Sequence, residues 1–117
     1  MEVQAITRNI RMSAQKMREV VRQIQGMSAT HAQAVLAVVP RKGARAVAKT
    51  LQSAMANAED LKIHKPEYQG LQTERLRVKS AVAGTAGSAK RFIPKARGSA
   101  GPILKRNCHV KIVLSDE

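Results

Sequence analysis

Aromatic residues are almost absent from this sequence: Tyr68 and Phe92 are the only two, and there is no Trp. Any core is therefore built from Ala, Val, Leu, Ile and Met. RNA-recognition modules that stack successive bases on exposed rings are excluded as well, because two rings cannot supply such a surface. Cysteine is equally scarce. Cys108 stands alone, which rules out an intrachain disulfide and a multi-cysteine zinc site and fits a reducing compartment. No apolar run reaches the roughly 18 residues of a membrane span. The opening MEVQAITRNI has neither the apolar centre of a signal peptide nor the Arg/Ser-rich, acid-poor character of a transit peptide. A cytoplasmic protein is expected. Negative charge is the last shortage: 8 Asp+Glu stand against 21 Lys+Arg, a formal +13 with a pI near 11.0. Such a chain repels itself and attracts polyanions, and nucleic acid is the first candidate.

The position of the acidic residues matters more than their number. Between Arg75 and Ser115, 41 residues contain ten Lys/Arg and no Asp or Glu. Surfaces usually mix both signs, so a one-signed stretch of this length points to contact with a polyanion. Its cations, Arg75, Arg77, Lys79, Lys90, Arg91, Lys95, Arg97, Lys105, Arg106 and Lys111, are candidate RNA-binding residues, together with Arg8 near the start.

Three helices follow from apolar periodicity. Ser13 is a good N-cap for the first, which presents Met17, Val20, Val21 and Ile24 on one face and Lys16, Arg18 and Arg22 on another, and stops at Gly26. The second starts at Ser28, aligns Ala32, Val35, Leu36 and Val39, and ends before Pro40. The third is expected from about Arg41 to Asp60, with Ala44, Val47, Ala48, Leu51, Ala54, Met55 and Ala58 in one stripe. After a connection containing Pro66 and Gly70 the period changes to two. In Arg75-Leu76-Arg77-Val78-Lys79 apolar and basic residues alternate, and near the C-terminus Cys108, Val110, Ile112 and Leu114 alternate with His109 and Lys111. These runs read as strands with one buried and one basic face. Val3 to Asn9 reads as a third. The fold class expected is α+β: three helices packed on a small antiparallel three-stranded sheet, in a single domain spanning 1–117.

Residues 84–102, GTAGSAKRFIPKARGSAGP, join the two basic strands and contain only two large apolar side chains, Phe92 and Ile93. If Arg75–Ala81 pairs with Lys105–Lys111, roughly 20 residues form the far end of a hairpin, at about 82–104. Ten residues per arm would project about 30 Å, against a radius of gyration of about 13 Å for a compact domain of this size. This end cannot lie over its own core.

Catalytic constellations are poor. His31, His64 and His109 fall on helix, loop and strand without a carboxylate or second histidine at metal spacing, so no metal site and no cofactor are expected. Cys108 lies on the apolar face of its strand and reads as a buried, inert thiol. Gly84-Thr85-Ala86-Gly87 and Gly98-Ser99-Ala100-Gly101 match the GxxG of KH domains but lack flanking helices, and close approach of backbone to phosphate reads better. An enzyme is not expected. What remains is phosphate neutralisation, shape fit and backbone contact, a mode suited to folded RNA.

Four stretches, in order, resemble one family. Ile10-Arg11-Met12-Ser13-Ala14-Gln15-Lys16-Met17-Arg18, Ser53-Ala54-Met55-Ala56-Asn57-Ala58-Glu59, Lys90-Arg91-Phe92-Ile93-Pro94-Lys95-Ala96-Arg97-Gly98 and Ile103-Leu104-Lys105-Arg106-Asn107-Cys108-His109-Val110 are similar to segments of the universal ribosomal large-subunit protein 22 family. Gly84-Thr85-Ala86-Gly87 replaces that family's usual acidic residue and Gly-Pro, Ser99 stands where a basic residue is common, and Asn107-Cys108 replaces Thr-Ser. The resemblance implies a long hairpin projecting from the domain, and binding to large-subunit ribosomal RNA (rRNA). It implies rRNA contacts at Arg11, Ser13, Lys16, Arg18, Lys105, Arg106 and His109. It also implies that Lys90, Arg91, Phe92, Ile93, Pro94, Lys95, Ala96, Arg97 and Gly98 form a tip at the wall of the nascent-peptide exit tunnel. The implied partners are large-subunit rRNA, neighbouring large-subunit proteins and the nascent peptide. Neither a membrane nor a homo-oligomer is expected. The competing class is a stand-alone, sequence-independent DNA- or RNA-binding protein.

Overall fold

The computed structural model describes residues 1–116. Strand β1 is Glu2–Ile10, and three helices follow: α1 at Ala14–Ile24, α2 at Ala29–Val38 and α3 at Lys42–His64. Strands β2, Arg77–Pro94, and β3, Ala100–Ser115, complete the chain. The helices start where polar caps permit. Ser13 Oγ accepts from the Lys16 N–H at 3.4 Å, and Ser28 Oγ accepts from the His31 N–H at 3.3 Å, so each satisfies one amide of a first helical turn. Helix α3 runs four residues past the expected Asp60. Leu61, Lys62 and Ile63 sustain it, and it stops at the residue before Pro66, where the proline ring disfavours helical backbone.

The sheet is antiparallel in the order β1-β3-β2, with the last strand at its centre. Its inner face supplies Val3, Val78, Val110, Ile112 and Leu114, and the helices lay Met17, Ile24, Val47 and Leu51 on it, all buried. Alanines at 54 and 58 are fully buried, which lets α3 approach the sheet closely. Gly43 lets α3 approach α1 in the same way: a Cβ there would stand 3.0 Å from the sulfurs of Met12 and Met17. The free edge of β2 is closed off beside the helices. The Gly26 and Ala29 amides donate to the carbonyls of Val78 and Leu76, Gln25 Nε2 to that of Ala81, and Arg18 Nε to that of Ala83. An edge filled this way offers no template to another strand.

Pairing within the hairpin differs from the expectation. Ala81 lies opposite Ile112 and Lys105 opposite Ala89, so the ladder continues out to Pro94↔Ala100. Only five residues, Lys95–Ser99, make the turn, where Arg97 and Gly98 have φ of 59° and 71°. Glycine takes the second of these at no steric cost. The reason for the difference is compositional: residues 83–89 are all Ala, Gly, Ser or Thr, and small residues show no apolar alternation even where the backbone is paired. Pairing between β1 and β3 ends at Ile10↔Cys108. Beyond that level the hairpin is a two-stranded ribbon, and the molecule measures 67 × 28 × 16 Å.

The ribbon leaves the body at a double irregularity. Arg8 and Asn9 of β1 oppose His109 alone, while Ala86 and Gly87 of β2 oppose Asn107 alone. Asn9 has φ 58°, and its N–H donates to His109 Nδ1 at 3.1 Å. Bulges bend strands and increase their twist, and two on either side of β3 set the direction in which the ribbon departs.

Candidate nucleic-acid interface

A cleft of about 770 Å³ lies at the root of the ribbon, between the start of α1, the start of α3 and the hairpin strands. Six cations line it, Arg11, Lys16, Lys42, Arg91, Lys105 and Arg106, and no acidic residue does. Two helix N-termini face it, neither with an acidic residue in its first turn. Their partial positive charges add to those of the side chains and favour phosphate oxygens. Ser13 also lines the cleft; its side chain serves as the α1 cap.

Of the residues singled out from sequence, Arg11, Ser13, Lys16, Arg91, Lys105 and Arg106 meet in this cleft. Lys90, Lys95, Arg97 and Gly98 lie on the exposed tip, with Phe92, Ile93, Pro94 and Ala96. Arg8 is exposed at the β1 bulge and His109 is half-buried beside it, its Nδ1 already accepting from Asn9. Arg18 lies within α1 and uses its Nε to hold the β2 edge. Of the remaining four, Arg75, Arg77 and Lys79 sit at the opposite end of the body, and Lys111 lies midway along the sheet, opposite Ile6 and Val82. Arg75 and Arg77 share a cleft with Glu74 and Asp116. Lys79 is paired with the Glu2 carboxylate across the central strand, and Lys111 borders a cleft with Glu2 and Asp60. There Lys79, first, holds the Glu2 carboxyl below its ordinary range. The Gln72 N–H, followed by the N-terminal ammonium, does the same for Asp116.

Sequence reading missed Lys42. It is the first residue of α3 and lies far along the chain from its neighbours in the cleft, so only the packing of α3 against Met12 and Met17 brings it there. Asn57 also gains a role. Its Nδ2 donates to the Gln4 carbonyl at 3.1 Å, fixing α3 to edge strand β1. His64 turns out to be helical and 3.4 Å from Asp60, one turn earlier. Among the described residues no group of three or more His, Cys, Asp or Glu could hold a metal, and no helix is long and apolar enough to cross a membrane.

A small α+β body, a cation-lined cleft and an acid-free projecting ribbon define the class: a protein shaped to grip the backbone of a folded polyanion. Comparison with known proteins narrows this. Residues 5–115 match the family model described as ribosomal protein L22p/L17e. The chain is 48% identical over 116 residues to the large ribosomal subunit protein uL22 of Opitutus terrae, covering 99% of this chain and 96% of that protein. It is 44% identical over 117 residues to the protein of the same name from Methylacidiphilum infernorum (100% and 96%), and 41% over 117 residues to that of Akkermansia muciniphila (100% and 98%). The chain belongs to the ribosomal protein L22p/L17e family.

Proposed function

We propose that this protein is a structural component of the large ribosomal subunit that binds and organises its rRNA in the cytoplasm, beside neighbouring subunit proteins, and catalyses nothing. The cleft carries this reading: six cations and two helix N-termini converge at the root of the ribbon with no acidic residue among them. Residues 1–117 act as one rRNA-binding domain, hairpin included. Arg11, Lys16, Lys42, Lys105 and Arg106 hold phosphates at its root, and the cations of the ribbon extend the contact outward. Phosphate contacts of this kind fix orientation without reading sequence. Family membership and the named relatives favour the ribosomal reading over a stand-alone nucleic-acid module.

The ribbon reaches the wall of the nascent-peptide tunnel in this reading, with Lys90 to Gly98 at its end. Support comes from its length, its exposed tip and its lack of any place on its own core. Sedimentation tests the first claim: the protein is expected to migrate with intact large subunits in a sucrose gradient. A pool left at the top while the subunits sediment overturns it. A photoreactive group at Arg97 tests the second, with crosslinks to a stalled nascent chain expected there and none from Ser53 on α3.

A further inference from the structure

Alternation along the ribbon gives it two faces, and one of them is unusual for so cationic a chain. Side chains at i and i+2 share a face, as do residues directly opposite each other. Lys90 pairs with Leu104, Phe92 with Pro102 and Ser88 with Arg106, so these six share one side. Phe92 is 68% exposed and Leu104 46%, with exposed Pro102 beside them. The Lys90 ammonium stands 5.7 Å from the Phe92 ring centroid. The result is a short apolar stripe, centred on the one phenylalanine of the chain, with a cation on the ring and another, Arg106, toward the body. Phe92 and Pro102 lie beyond the residues that line the cleft.

We propose that this stripe is a stacking platform for an unpaired nucleobase of the bound RNA, with Phe92 against the base and Lys90 and Arg106 on the flanking phosphates. The inference rests on the rRNA-binding reading above and adds to it a contact that phosphate neutralisation does not require. Charge selects the occupant. No Asp or Glu lies between Arg75 and Ser115, so the partner of this face is anionic as well as flat and apolar, and a nucleotide is all three. A single ring serves a single base, which agrees with the ribbon's composition: Phe92 is its one aromatic residue, and Tyr68 lies on the body. Stacking on an aromatic ring tolerates any base, because each has a π-face.

The test uses large subunits assembled with the wild-type chain, with Phe92→Leu, which keeps apolar bulk without a π-face, and with Phe92→Trp. Acylation of ribose 2′-hydroxyls reports which nucleotides are held. At one or two unpaired nucleotides, reactivity is expected to be low with the wild type and Phe92→Trp and several-fold higher with Phe92→Leu. Equal patterns in subunits that contain each variant overturn the platform and leave the ribosomal reading standing; a wild-type chain that never enters the subunit overturns that reading instead. Ultraviolet crosslinks from Phe92 to another protein, in place of RNA, also overturn the platform. If Phe92→Leu fails to assemble, the full-length proteins are compared on a single-stranded oligonucleotide containing 2-aminopurine. The wild type is expected to quench it and Phe92→Leu to bind about tenfold more weakly with an unchanged salt slope; equal quenching and affinity overturn the proposal.

Discussion

Cys108 illustrates how position along a strand fixes the chemistry of a side chain. It is fully buried on the inner face of β3, and burial pushes its thiol up from the ordinary range. The thiolate is the reactive form. The native protein is therefore expected to resist a disulfide reagent at mildly alkaline pH and to react at once in denaturant; rapid labelling of the native chain would contradict this. Thr50 shows the opposite case, a polar group drawn inside. Its Oγ1 lies 2.8 Å from the Ala46 carbonyl and 2.6 Å from Thr7 Oγ1, which joins α3 to β1. Thr50→Val strips Thr7 of that partner and is expected to cost about 1–2 kcal/mol in urea unfolding. Asp116 couples stability to pH. Its carboxyl is held below the ordinary 3.8 by the Gln72 N–H first and the N-terminal ammonium second. A depressed folded value means that the unfolded chain binds the proton more readily. The contribution is thus complete above the ordinary value and is lost as pH falls through the depressed one. The stability gap between wild type and Asp116→Asn should be open at neutral pH and close in strong acid.

The elements themselves were legible in the sequence to different depths, and the differences have physical causes. Helices α1 and α2 declare themselves through 3.6-residue periodicity between serine caps and a glycine or proline stop. Strands β1 to β3 declare their buried ends through alternation, but alternation fails across Ala83–Ala89, and with it the register of the hairpin. The cleft was half legible. Its hairpin and α1 cations stood out as charge without counter-charge, whereas Lys42 has no local signature and depends on how α3 docks. The β1 bulge went unread although Asn9 carries a weak signal for it: asparagine tolerates the left-handed region better than other non-glycine residues, but it also occurs widely outside it. The body does not need the ribbon. From residue 90 to 100 every side chain is exposed, so none supports the core. Removing residues 89–105 leaves Ser88 and Arg106, a register pair, to be joined by Asn-Gly, a two-residue hairpin turn. That protein is expected to fold with a melting temperature within a few degrees of the full chain's; failure to fold would show that the ribbon supports the body. By contrast, Leu51→Ala, at a fully buried site on α3, is expected to cost about 2–5 kcal/mol.

At the scale of the whole molecule the decisive property is the direction of its charge. Glu2, Asp60, Glu74 and Asp116 gather toward the end of the sheet opposite the ribbon, among Arg75, Arg77 and Lys79. Glu19 is already paired with Arg41 at 2.9 Å. The distal end is therefore mixed in sign, while the cleft and the ribbon carry positive charge with nothing to offset it. A polyanion meeting such a particle is oriented by the gradient before any close contact forms. It should settle at the root of the ribbon, and the salt dependence of binding should record where. Each cation that displaces a counterion contributes roughly 0.7–0.9 to the slope of log K against log salt. Lys105→Ala is expected to reduce the slope for the rRNA target by about that amount. Arg77→Ala, beside Glu74 and Asp116, should weaken binding and flatten the slope less, because a local carboxylate already offsets part of its charge. Titrations of both variants over a range of salt concentrations decide the matter. Equal reductions would mean that the RNA wraps the distal end as fully as the cleft, and that charge polarity does not set its path.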